Sequence, residues 1–423
     1  MEGIIESNTP SLKQALELLI DLPNIQIEEA CEDRNGHYIL TVVSTEKGTH
    51  CHACGKRIDK ANGHGEFIEL RHLDLLGKQV HLRLRLPRYQ CDCAGQPTTT
   101  QQLSWFTRRS GFTTAFEKRI LLSCVNSTIA DVAIKEHVSY ELVKGVVDRN
   151  IDQSVDWERI RQLDVIGIDE IALKKGHQDF VAIVTGRSDD EIHVLGVLKD
   201  RSKQTVKQFF LSIPNRLRLS VRYVCSDMYD GFINAAKEVF GKSIRIVADR
   251  FHVAKLYRAG LENLRKQELR RLQRALAPMA YQQLKGAMWA LRKQVADVTA
   301  AEQTMLDKLF AYSPRLQQAY VFRNQLTAIF DETLTRTQAK HLLNGWAARV
   351  RRSAVRCFDG FMKTLMARKD EISNYFLERH TSGFVEGLNN KIKVIKRRCY
   401  GILNPGHLFQ RIYLDLCGYK LYA

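Results

Sequence analysis

The chain has 423 residues, 44% of them hydrophobic, which excludes a disordered protein and allows two to four domains with their own cores. It carries 64 Lys and Arg against 47 Asp and Glu, and a formal net charge of +17 favours polyanionic partners, nucleic acid before acidic membrane surfaces. No apolar run approaches the roughly 20 residues that cross a bilayer, and the first residues predict neither signal nor transit peptide, so we expect a cytoplasmic protein.

The amino-terminal region begins with a short amphipathic helix over residues 11–22, where Leu12, Leu16 and Leu19 recur at helical spacing. Strands are predicted at residues 38–43 and 80–86. In the second strand apolar residues alternate with His81, Arg83 and Arg85, which predicts a half-exposed strand with one basic face.

Two close cysteine pairs stand among these strands, Cys51 with Cys54 and Cys91 with Cys93. A disulfide framework is not expected in a reduced compartment, and two such pairs on β-hairpins can bind one Zn²⁺ with four thiolates. The alternative is a set of free buried cysteines. Possible substitute ligands nearby are His50, His52 and His64.

Residues 113–151 change to helical periodicity, with segments at 116–124 and 128–137 and a third that Ser139 caps. Three short helices with a tight bend at 137–139 suit a helix-turn-helix. Its last helix would carry Leu142, Val143, Val146 and Val147 inward and present Tyr140, Glu141, Lys144 and Arg149 to a DNA groove. The glycine common in that turn is absent, and a plain three-helix packing unit is the alternative.

An acidic residue interrupts the next apolar stretch, residues 163–186. Val165, Ile166 and Ile168 precede Asp169, and a second apolar run at 180–184 predicts a hairpin of buried strands. A carboxylate in such a run is costly to desolvate unless a cation neutralises it, which points to a metal. The alternative is a solvent-facing residue just past a strand end.

Two further strands repeat this pattern. Residues 192–198 complete a meander, a helix follows at 205–213, and the strand at 221–225 leads to Asp227. After a helix at 231–240, the strand at 243–248 leads to Asp249 and His252. Loops at strand ends are where α/β sheets bind ligands, so three acids at strand ends predict a site.

Residues 253–375 show almost no strand signal and many basic helical repeats. As a block, Arg265, Lys266, Arg270, Arg271 and Arg274 could bind phosphates, although any single one is better explained as solvated. Trp289 and Trp346 are predicted to be core residues.

The last informative stretch, residues 381–400, predicts a helix with Phe384, Leu388, Ile392 and Ile395 on its apolar face and Glu386 in its first turns. The cations that follow it are predicted to contact the DNA backbone; they are Lys391, Lys393, Lys396, Arg397 and Arg398. An amphipathic surface helix would explain these cations but not a third acid.

Asp169, Asp227 and Glu386 have the element order of a two-metal phosphoryl-transfer site: strand, strand end, helix. Two aspartates and a glutamate are oxygen ligands of the kind that Mg²⁺ or Mn²⁺ prefers.

The sequence resembles the bacterial insertion-sequence transposases of the ISL-three type over nearly its whole length. The specific stretches are VIGIDEIALKKGH, CSDM, ADRFHV and GFVEGLNNKIKVIKRRCYG. The resemblance implies a catalytic triad of Asp169, Asp227 and Glu386 and a zinc finger of Cys51, Cys54, Cys91 and Cys93. Asp249 and His252 match a D-x-x-H element that similar transposases place near the active site, as supporting residues.

The resemblance also implies a multidomain α/β protein, with a ribonuclease H-like mixed-sheet core interrupted by an all-helical insertion. The predicted boundaries are 1–105 for the amino-terminal helix and zinc finger, 106–155 for the helix-turn-helix, 156–252 and 376–423 for the core, and 253–375 for the insertion. The implied activity is Mg²⁺-dependent cleavage at an element's terminal inverted repeats and joining of 3′ hydroxyls to target DNA, by a homodimer associated with the bacterial nucleoid. The alternatives are a DNA-binding regulator with a non-catalytic core and a structure-selective nuclease of similar fold.

Overall fold

The computed structural model describes residues 12–174, 178–188, 191–378, 383–399 and 402–423. The chain divides into two compact units, Met1–Ile151 with Tyr413–Ala423, and Asp152–Ile412. None of the helices in the described ranges combines the length and apolar character that a membrane span requires.

The first unit is built on a five-stranded sheet. Its elements are α1 (Leu12–Ile20), β1 (Ile25–Glu32), β2 (Tyr38–Ser44), β3 (Thr49–His50), β4 (Arg57–Ile58), β5 (Ala61–Leu75), β6 (Lys78–Gln90), β7 (Thr98–Thr100), α2 (Thr114–Cys124), α3 (Ile129–Lys135) and α4 (Tyr140–Asn150). The strand order is β1-β2-β6-β5, with β7 also paired to β6, and β3 and β4 form a separate hairpin. β2 and β6 are parallel, whereas β1 with β2 and β5 with β6 are antiparallel.

The alternation predicted for β6 is confirmed. Val80, Leu82 and Leu84 are buried in the core of the first unit, while Arg83 and Arg85 are exposed. β5 and β6 are joined by only two residues, Leu76 and Gly77, which both have positive φ (53° and 79°). Positive φ at both positions is the turn geometry that matches the twist of a hairpin.

Three short helices form a second core in this unit, as predicted. Thr113, Thr128 and Ser139 each cap a helix by accepting a backbone N–H bond. In the bend between α3 and α4, His137 takes φ of 54°, the left-handed conformation that glycine usually supplies. Val143, Val146 and Val147 are buried as predicted, but the prediction for Leu142 was wrong, because its side chain is 46% exposed.

The second unit begins with a mixed sheet. Its strands and the helices between them are β8 (Val165–Lys174), β9 (Gln178–Ser188), β10 (Glu191–Leu198), α5 (Lys203–Ser212), α6 (Asn215–Arg218), β11 (Tyr223–Ser226), α7 (Asp230–Phe240) and β12 (Arg245–Ala248). The strand order is β10-β9-β8-β11-β12. β8, β9 and β10 form an antiparallel meander, and β11 is parallel to both β8 and β12. The predicted hairpin, third strand and two later strands are all present.

The central strands of this sheet are buried on both faces. Ile166, Val224 and Ile246 share one hydrophobic cluster with residues of α5 and α7. Val165, Tyr223 and Val247 belong to another cluster, which extends into the helices after β12. Because side chains alternate along a strand, residues two positions beyond Val165, Tyr223 and Val247 return to the face that these helices cover.

Every element between β12 and the last part of the chain is helical, as predicted. The helices are α8 (Arg250–Ala275), α9 (Pro278–Gln282), α10 (Ala287–Ala290), α11 (Ala300–Tyr312), α12 (Pro314–Asp331), α13 (Arg336–Arg352), α14 (Asp359–Ala367), α15 (Lys369–Ser373) and α16 (Tyr375–Glu378). Trp346 is fully buried in their core, as predicted. The prediction for Trp289 was wrong: it is 63% exposed.

Two helices end the chain, α17 (Gly383–Arg398) and α18 (Pro405–Tyr422). α17 packs against β8, and its Ile392 and Ile395 are buried as the apolar spacing predicted. The side chains of Phe384 and Leu388 lie outside the described part of the chain. α18 starts in the second unit and ends in the first, where Leu414 packs into the core of α2, α3 and α4.

Candidate functional site

Three aspartates occupy one row across neighbouring strands of the second sheet. Ser226 of β11 pairs with Ile168 of β8 on one side and with Ala248 of β12 on the other. The next residue on each strand is therefore Asp227, Asp169 or Asp249. Neighbouring strands lie about 4.8 Å apart, so this register places the three aspartates side by side in one row across the sheet.

The row lies on the sheet face that the helices after β12 cover. Asp169, Asp227 and Asp249 stand an even number of positions beyond Val165, Tyr223 and Val247, whose side chains belong to the hydrophobic cluster shared with those helices. The prediction of a strand end is confirmed for Asp227 and Asp249, which directly follow β11 and β12, but it was wrong for Asp169, because β8 remains paired with β9 and continues to Lys174. The common row and the common face follow from the strand order.

The aspartates differ in their hydrogen bonds and exposure. Asp249 is only 7% exposed and caps α8, because its Oδ1 accepts the backbone N–H of Phe251 at 2.8 Å. Asp227 is partly exposed and accepts the N–H of Tyr229 at 3.0 Å. Asp169 is also partly exposed, and its Oδ1 accepts the N–H of Glu170 at 2.8 Å. Asp169 and Asp227 are thus the more accessible pair.

Burial and neighbouring charges together shift the pKa values of Asp169 and Asp227. The pKa of Asp169 is raised to about 6, chiefly by burial and also by the charges of Asp227 and Asp249, against the backbone N–H of Glu170 and the nearby His252, which lower it. Burial also raises the pKa of Asp227, with His252 again acting in the opposite direction. The structure therefore brings Asp169, Asp227, Asp249 and His252 into one electrostatic environment. Carboxylates that are reluctant to ionise together are suited to share a cation.

Glu386, the third predicted carboxylate, belongs to α17. Its helix, α17, packs against β8, and Lys396 of that helix donates a hydrogen bond to the carbonyl of Ala172, three residues beyond Asp169. The side chain of Glu386 lies outside the described part of the chain.

Arg201 is a residue near the site that sequence reasoning missed. It forms an ion pair of 2.5 Å with Glu170, the neighbour of Asp169, and lies over the rings of Phe180 and Tyr229 at 4.9 and 5.4 Å. Its charge lowers the pKa of Asp227, against the effect of burial. A single arginine after a strand carries no distinctive sequence signal, and only the fold shows that it borders the aspartates.

The four predicted cysteines form a separate cluster in the first unit. Cys51 and Cys54 lie in the loop of the β3–β4 hairpin, and Cys91 and Cys93 lie between the paired strands β6 and β7. All four Sγ atoms lie within 4.8 Å of one another, with 3.9 Å between Cys51 and Cys93 and 3.6 Å between Cys54 and Cys91. A tetrahedron with Zn–S bonds of about 2.3 Å has S···S edges of about 3.8 Å.

Backbone amides support this cluster. The N–H groups of Ala53 and Cys93 donate to the Sγ atoms of Cys51 and Cys91, both at 3.4 Å. The N–H of Cys54 lowers the pKa of Cys51 to about 6, whereas sharing a hydrogen bond with Cys91 raises the pKa of Cys93 to about 12. Four thiols, amide donors and tetrahedral spacing fit Zn²⁺. Within the described residues, no other group brings three or more such ligand atoms that close.

The histidine substitutes are not needed for this site. His52 hydrogen-bonds Thr99 through Nδ1 at 2.9 Å, and neither His50 nor His64 belongs to the cluster.

The predicted DNA-contacting residues of α4 differ in their surroundings. Tyr140 is exposed at the first turn of the helix. Lys144 forms an i,i+4 ion pair with Asp148 at 2.5 Å, on the solvent side. Arg149 instead binds the buried Glu117 of α2 at 2.6 Å, so it also ties α4 to the helical core.

The basic residues of α17 surround its buried stripe. Lys393 and Arg397 are exposed, whereas Lys391, Lys396 and Arg398 are partly buried. Burial lowers the pKa of Lys396. The phosphate track predicted on α8 is weakened, because Arg265 is buried against Glu262 and Arg271 is paired with Glu268.

Three family models of transposases match successive regions of the chain. A family model described as "Transposase", for the DDE domain of the ISL3 transposases, matches residues 166–412, more than half of the chain. A "Helix-turn-helix domain of transposase family ISL3" matches residues 101–149, and a "zinc-finger of transposase IS204/IS1001/IS1096/IS1165" matches residues 47–93.

Two relatives align over most of the chain. The transposase for insertion sequence element IS1001 of Bordetella parapertussis is 26% identical over 387 residues, 90% of this chain and 92% of the relative. The transposase for insertion sequence element IS1557 of Mycobacterium tuberculosis (strain CDC 1551 / Oshkosh) is 23% identical over 390 residues, 88% of this chain and 86% of the relative. With a zinc finger, a helix-turn-helix and a DDE domain in this order, the chain belongs to the ISL3 family of transposases.

Proposed function

We propose that this transposase binds the terminal inverted repeats of an insertion sequence, cleaves at its ends and joins the freed 3′ hydroxyls to target DNA. The observation that carries the proposal is the row of Asp169, Asp227 and Asp249 across three adjacent strands. The raised pKa values of Asp169 and Asp227 support a shared divalent cation there.

We assign Asp169, Asp227 and Glu386 as the catalytic, metal-binding carboxylates. Asp169 and Asp227 are the accessible members of the row, and α17, which carries Glu386, packs against the strand of Asp169. Asp249 and His252 are supporting residues: Asp249 holds the first turn of α8, and His252 lowers the pKa of both catalytic aspartates.

The sheet supports a ribonuclease H-like core. An antiparallel meander followed by two parallel strands on the far side of β8, in the order β10-β9-β8-β11-β12, is the arrangement expected of that fold. The all-helical insertion then corresponds to the strand-free helices that follow β12, and α17 returns the chain to the sheet.

Two Mg²⁺ or Mn²⁺ ions would activate the attacking oxygen and stabilise the leaving oxygen. The carboxylates of this chain would orient those oxygens in line with the phosphorus atom. Because hydrolysis and strand transfer differ only in whether water or a DNA hydroxyl attacks, one set of carboxylates can serve both steps. Arg201 borders Asp227 and could neutralise a phosphate oxygen there.

The remaining predicted residues form the proposed DNA-binding surface. Tyr140 and Lys144 of α4 would read a groove, with Arg149 holding that helix in place through Glu117. The cations of α17 would contact the DNA backbone; they are Lys391, Lys393, Lys396, Arg397 and Arg398.

Zn²⁺ bound by the four cysteines would stabilise the first unit. An element has two similar ends, which favours a homodimer on double-stranded DNA, and a net charge of +17 favours association with the nucleoid.

The test is a strand-transfer assay with labelled DNA ends that carry the element's terminal repeats and an unlabelled target plasmid. We expect cleaved ends and joined products with Mg²⁺, and neither product with EDTA. Cleavage without joining would favour the structure-selective nuclease. Repeat binding with neither reaction, under any divalent cation, would favour the DNA-binding regulator.

A further inference from the structure

A basic cleft follows one face of α8, the helix that Asp249 caps. Its lining residues on that helix recur every three or four positions, from Phe251 through Lys255 and Arg258 to Arg265. Phe251 lies two residues after Asp249. At 1.5 Å per residue, this face is about 21 Å long from Phe251 to Arg265. The cleft encloses about 410 Å³, within the range of ligand pockets.

The cleft holds more positive than negative charge. Five cationic side chains line it, together with one carboxylate, Glu262. That carboxylate accepts from both Arg265, at 2.5 Å, and Arg292, at 3.0 Å. Lys255 and Arg258 are exposed, and neither forms an ion pair with any residue that the structure describes.

The fifth cation adds to this excess from inside the cleft. Arg323 is only 4% exposed and donates to the carbonyl of Leu291 at 2.6 Å, without a carboxylate. Burial lowers the pKa of the Arg323 guanidinium, and the neighbouring Arg258 cation lowers it further. Cations held close without balancing acids attract a polyanion.

Exposed aromatic rings accompany these cations. Phe251 is 46% exposed where the cleft begins. Trp289, 63% exposed, lies beside the cleft, with the Arg292 guanidinium 5.7 Å from its ring. Arg292 therefore connects the indole to Glu262 inside the cleft.

Cations combined with exposed aromatic faces distinguish one kind of nucleic acid. Duplex DNA offers phosphates, but its bases stack on one another and leave no face for a protein ring. Unpaired nucleotides offer both phosphates and free base faces, and stacking on an aromatic side chain contributes substantially to their binding.

We infer that this cleft binds unpaired nucleotides of the DNA strand that enters the carboxylate site, with phosphates on Lys255 and Arg258 and a base stacked on Trp289. The inference rests on the proposed function for the identity of the polyanion as DNA. It goes beyond that function by assigning a single-strand subsite, which requires the DNA ends to be opened next to the reacting phosphate.

The test compares two fluorescent probes by anisotropy in the full-length protein, with EDTA present so that no cleavage occurs. One probe is a blunt duplex, and the other carries an unpaired extension of about six nucleotides. We expect the wild-type protein to bind the extended probe about tenfold more tightly. Trp289→Ala and Lys255→Ala/Arg258→Ala should each remove most of that preference, while Trp289→Phe should keep most of it.

Matched controls separate the cleft from its surroundings. Arg351→Ala/Arg352→Ala removes the same charge from exposed positions of α13 that do not line the cleft, and Tyr312→Ala removes an exposed ring elsewhere among these helices. Both controls should keep the preference. All the substituted side chains are exposed, so thermal unfolding should match wild type.

Three results would contradict the inference. Equal binding of both probes by the wild type would exclude a single-strand subsite, and an unchanged preference in Trp289→Ala and Lys255→Ala/Arg258→Ala would exclude this cleft. In both cases the proposed transposition chemistry would stand. Failure of the wild type to bind either probe at any salt concentration would overturn the proposed function and this inference together.

Discussion

The cysteine cluster and the aspartate row are both suited to metals, but they are assembled differently. The four Sγ atoms already lie within 4.8 Å of one another, whereas the described carboxylates do not come that close as a group. Thiols that hydrogen-bond one another, with the pKa of Cys51 lowered and those of Cys91 and Cys93 raised, can pack together before a metal binds. Carboxylates at short distance repel, and here burial raises the pKa of Asp169 and Asp227.

If the proposed function is correct, this difference separates a structural site from a reactive one. A closed set of four thiolates leaves no position for substrate, so its binding energy stabilises the fold. An open row of oxygen ligands leaves positions for water and DNA oxygens around the metal. We therefore expect loss of a cysteine to weaken the fold, and loss of a carboxylate to abolish the chemistry while the fold is kept.

The largest effect should come from the carboxylates. Asp169→Asn, Asp227→Asn and Glu386→Gln are nearly isosteric but lack the negative charge, so each should reduce both cleavage and joining by at least about a thousandfold. Product formation from labelled element ends measures this. Repeat binding in EDTA is the control and should be unchanged. A variant with more than about a tenth of wild-type joining would remove that residue from the triad.

Zinc removal should have the next largest effect. Wild-type protein should contain one Zn²⁺ per chain by elemental analysis, and Cys51→Ser/Cys54→Ser should lose it and destabilise the first unit by several kcal/mol. Cys31→Ser is the matched control, since Cys31 is an exposed cysteine of β1 outside the cluster. A double variant that melts and binds DNA like the control would show that the cluster needs no metal.

Replacing Asp169 should raise the stability of the metal-free protein, whereas replacing the cysteines should lower stability. The raised pKa of Asp169, about 6, means that ionisation opposes folding above pH 6, and this cost disappears as the pH falls towards the ordinary value of 3.8. Asp169→Asn should therefore stabilise metal-free protein by roughly 1 to 3 kcal/mol at pH 8 and by less at pH 5. Denaturant unfolding in EDTA measures both values. A variant less stable than wild type at pH 8 would show that the buried charge is already compensated.

The smallest effect should come from the basic helix α17. Lys393→Ala/Lys396→Ala/Arg397→Ala should weaken binding of all DNA sequences by about tenfold and flatten its salt dependence, because phosphate contacts release counterions. Anisotropy at several salt concentrations measures the slope. A control triple at exposed positions of other helices is Arg351→Ala, Arg352→Ala and Lys363→Ala. Weakening confined to one DNA sequence would indicate that these residues read bases.

Local patterns predicted the parts of the molecule that depend on local chemistry. The two cysteine pairs, the helix cap at Ser139 and the alternation of β6 all result from spacings of a few residues. Each needs only its own hairpin or helix turn to form, so sequence spacing is sufficient to identify it.

Long-range packing decided what the sequence could not predict. Leu142 and Trp289 lie at helical positions that suit a core, yet the elements that the structure describes leave both of them exposed. Arg201, which follows β10, forms its ion pair with Glu170 of β8 across the intervening strand β9, a contact that only the folded sheet produces. The turn of the helix-turn-helix forms without glycine, because His137 takes the left-handed conformation that glycine usually supplies.

The choice between Asp227 and Asp249 tests the assignment of the catalytic row most directly. Asp249 is buried and caps α8, and asparagine can accept the same backbone N–H, so Asp249→Asn should keep the helix start and most of the activity. Asp227 is the accessible neighbour of Asp169 and supplies negative charge that an amide cannot replace. In a strand-transfer assay with Mg²⁺, we predict no joined product from Asp227→Asn and clear joining by Asp249→Asn. Joining by Asp227→Asn beside an inactive Asp249→Asn protein would contradict this account and move the catalytic carboxylate to the end of β12.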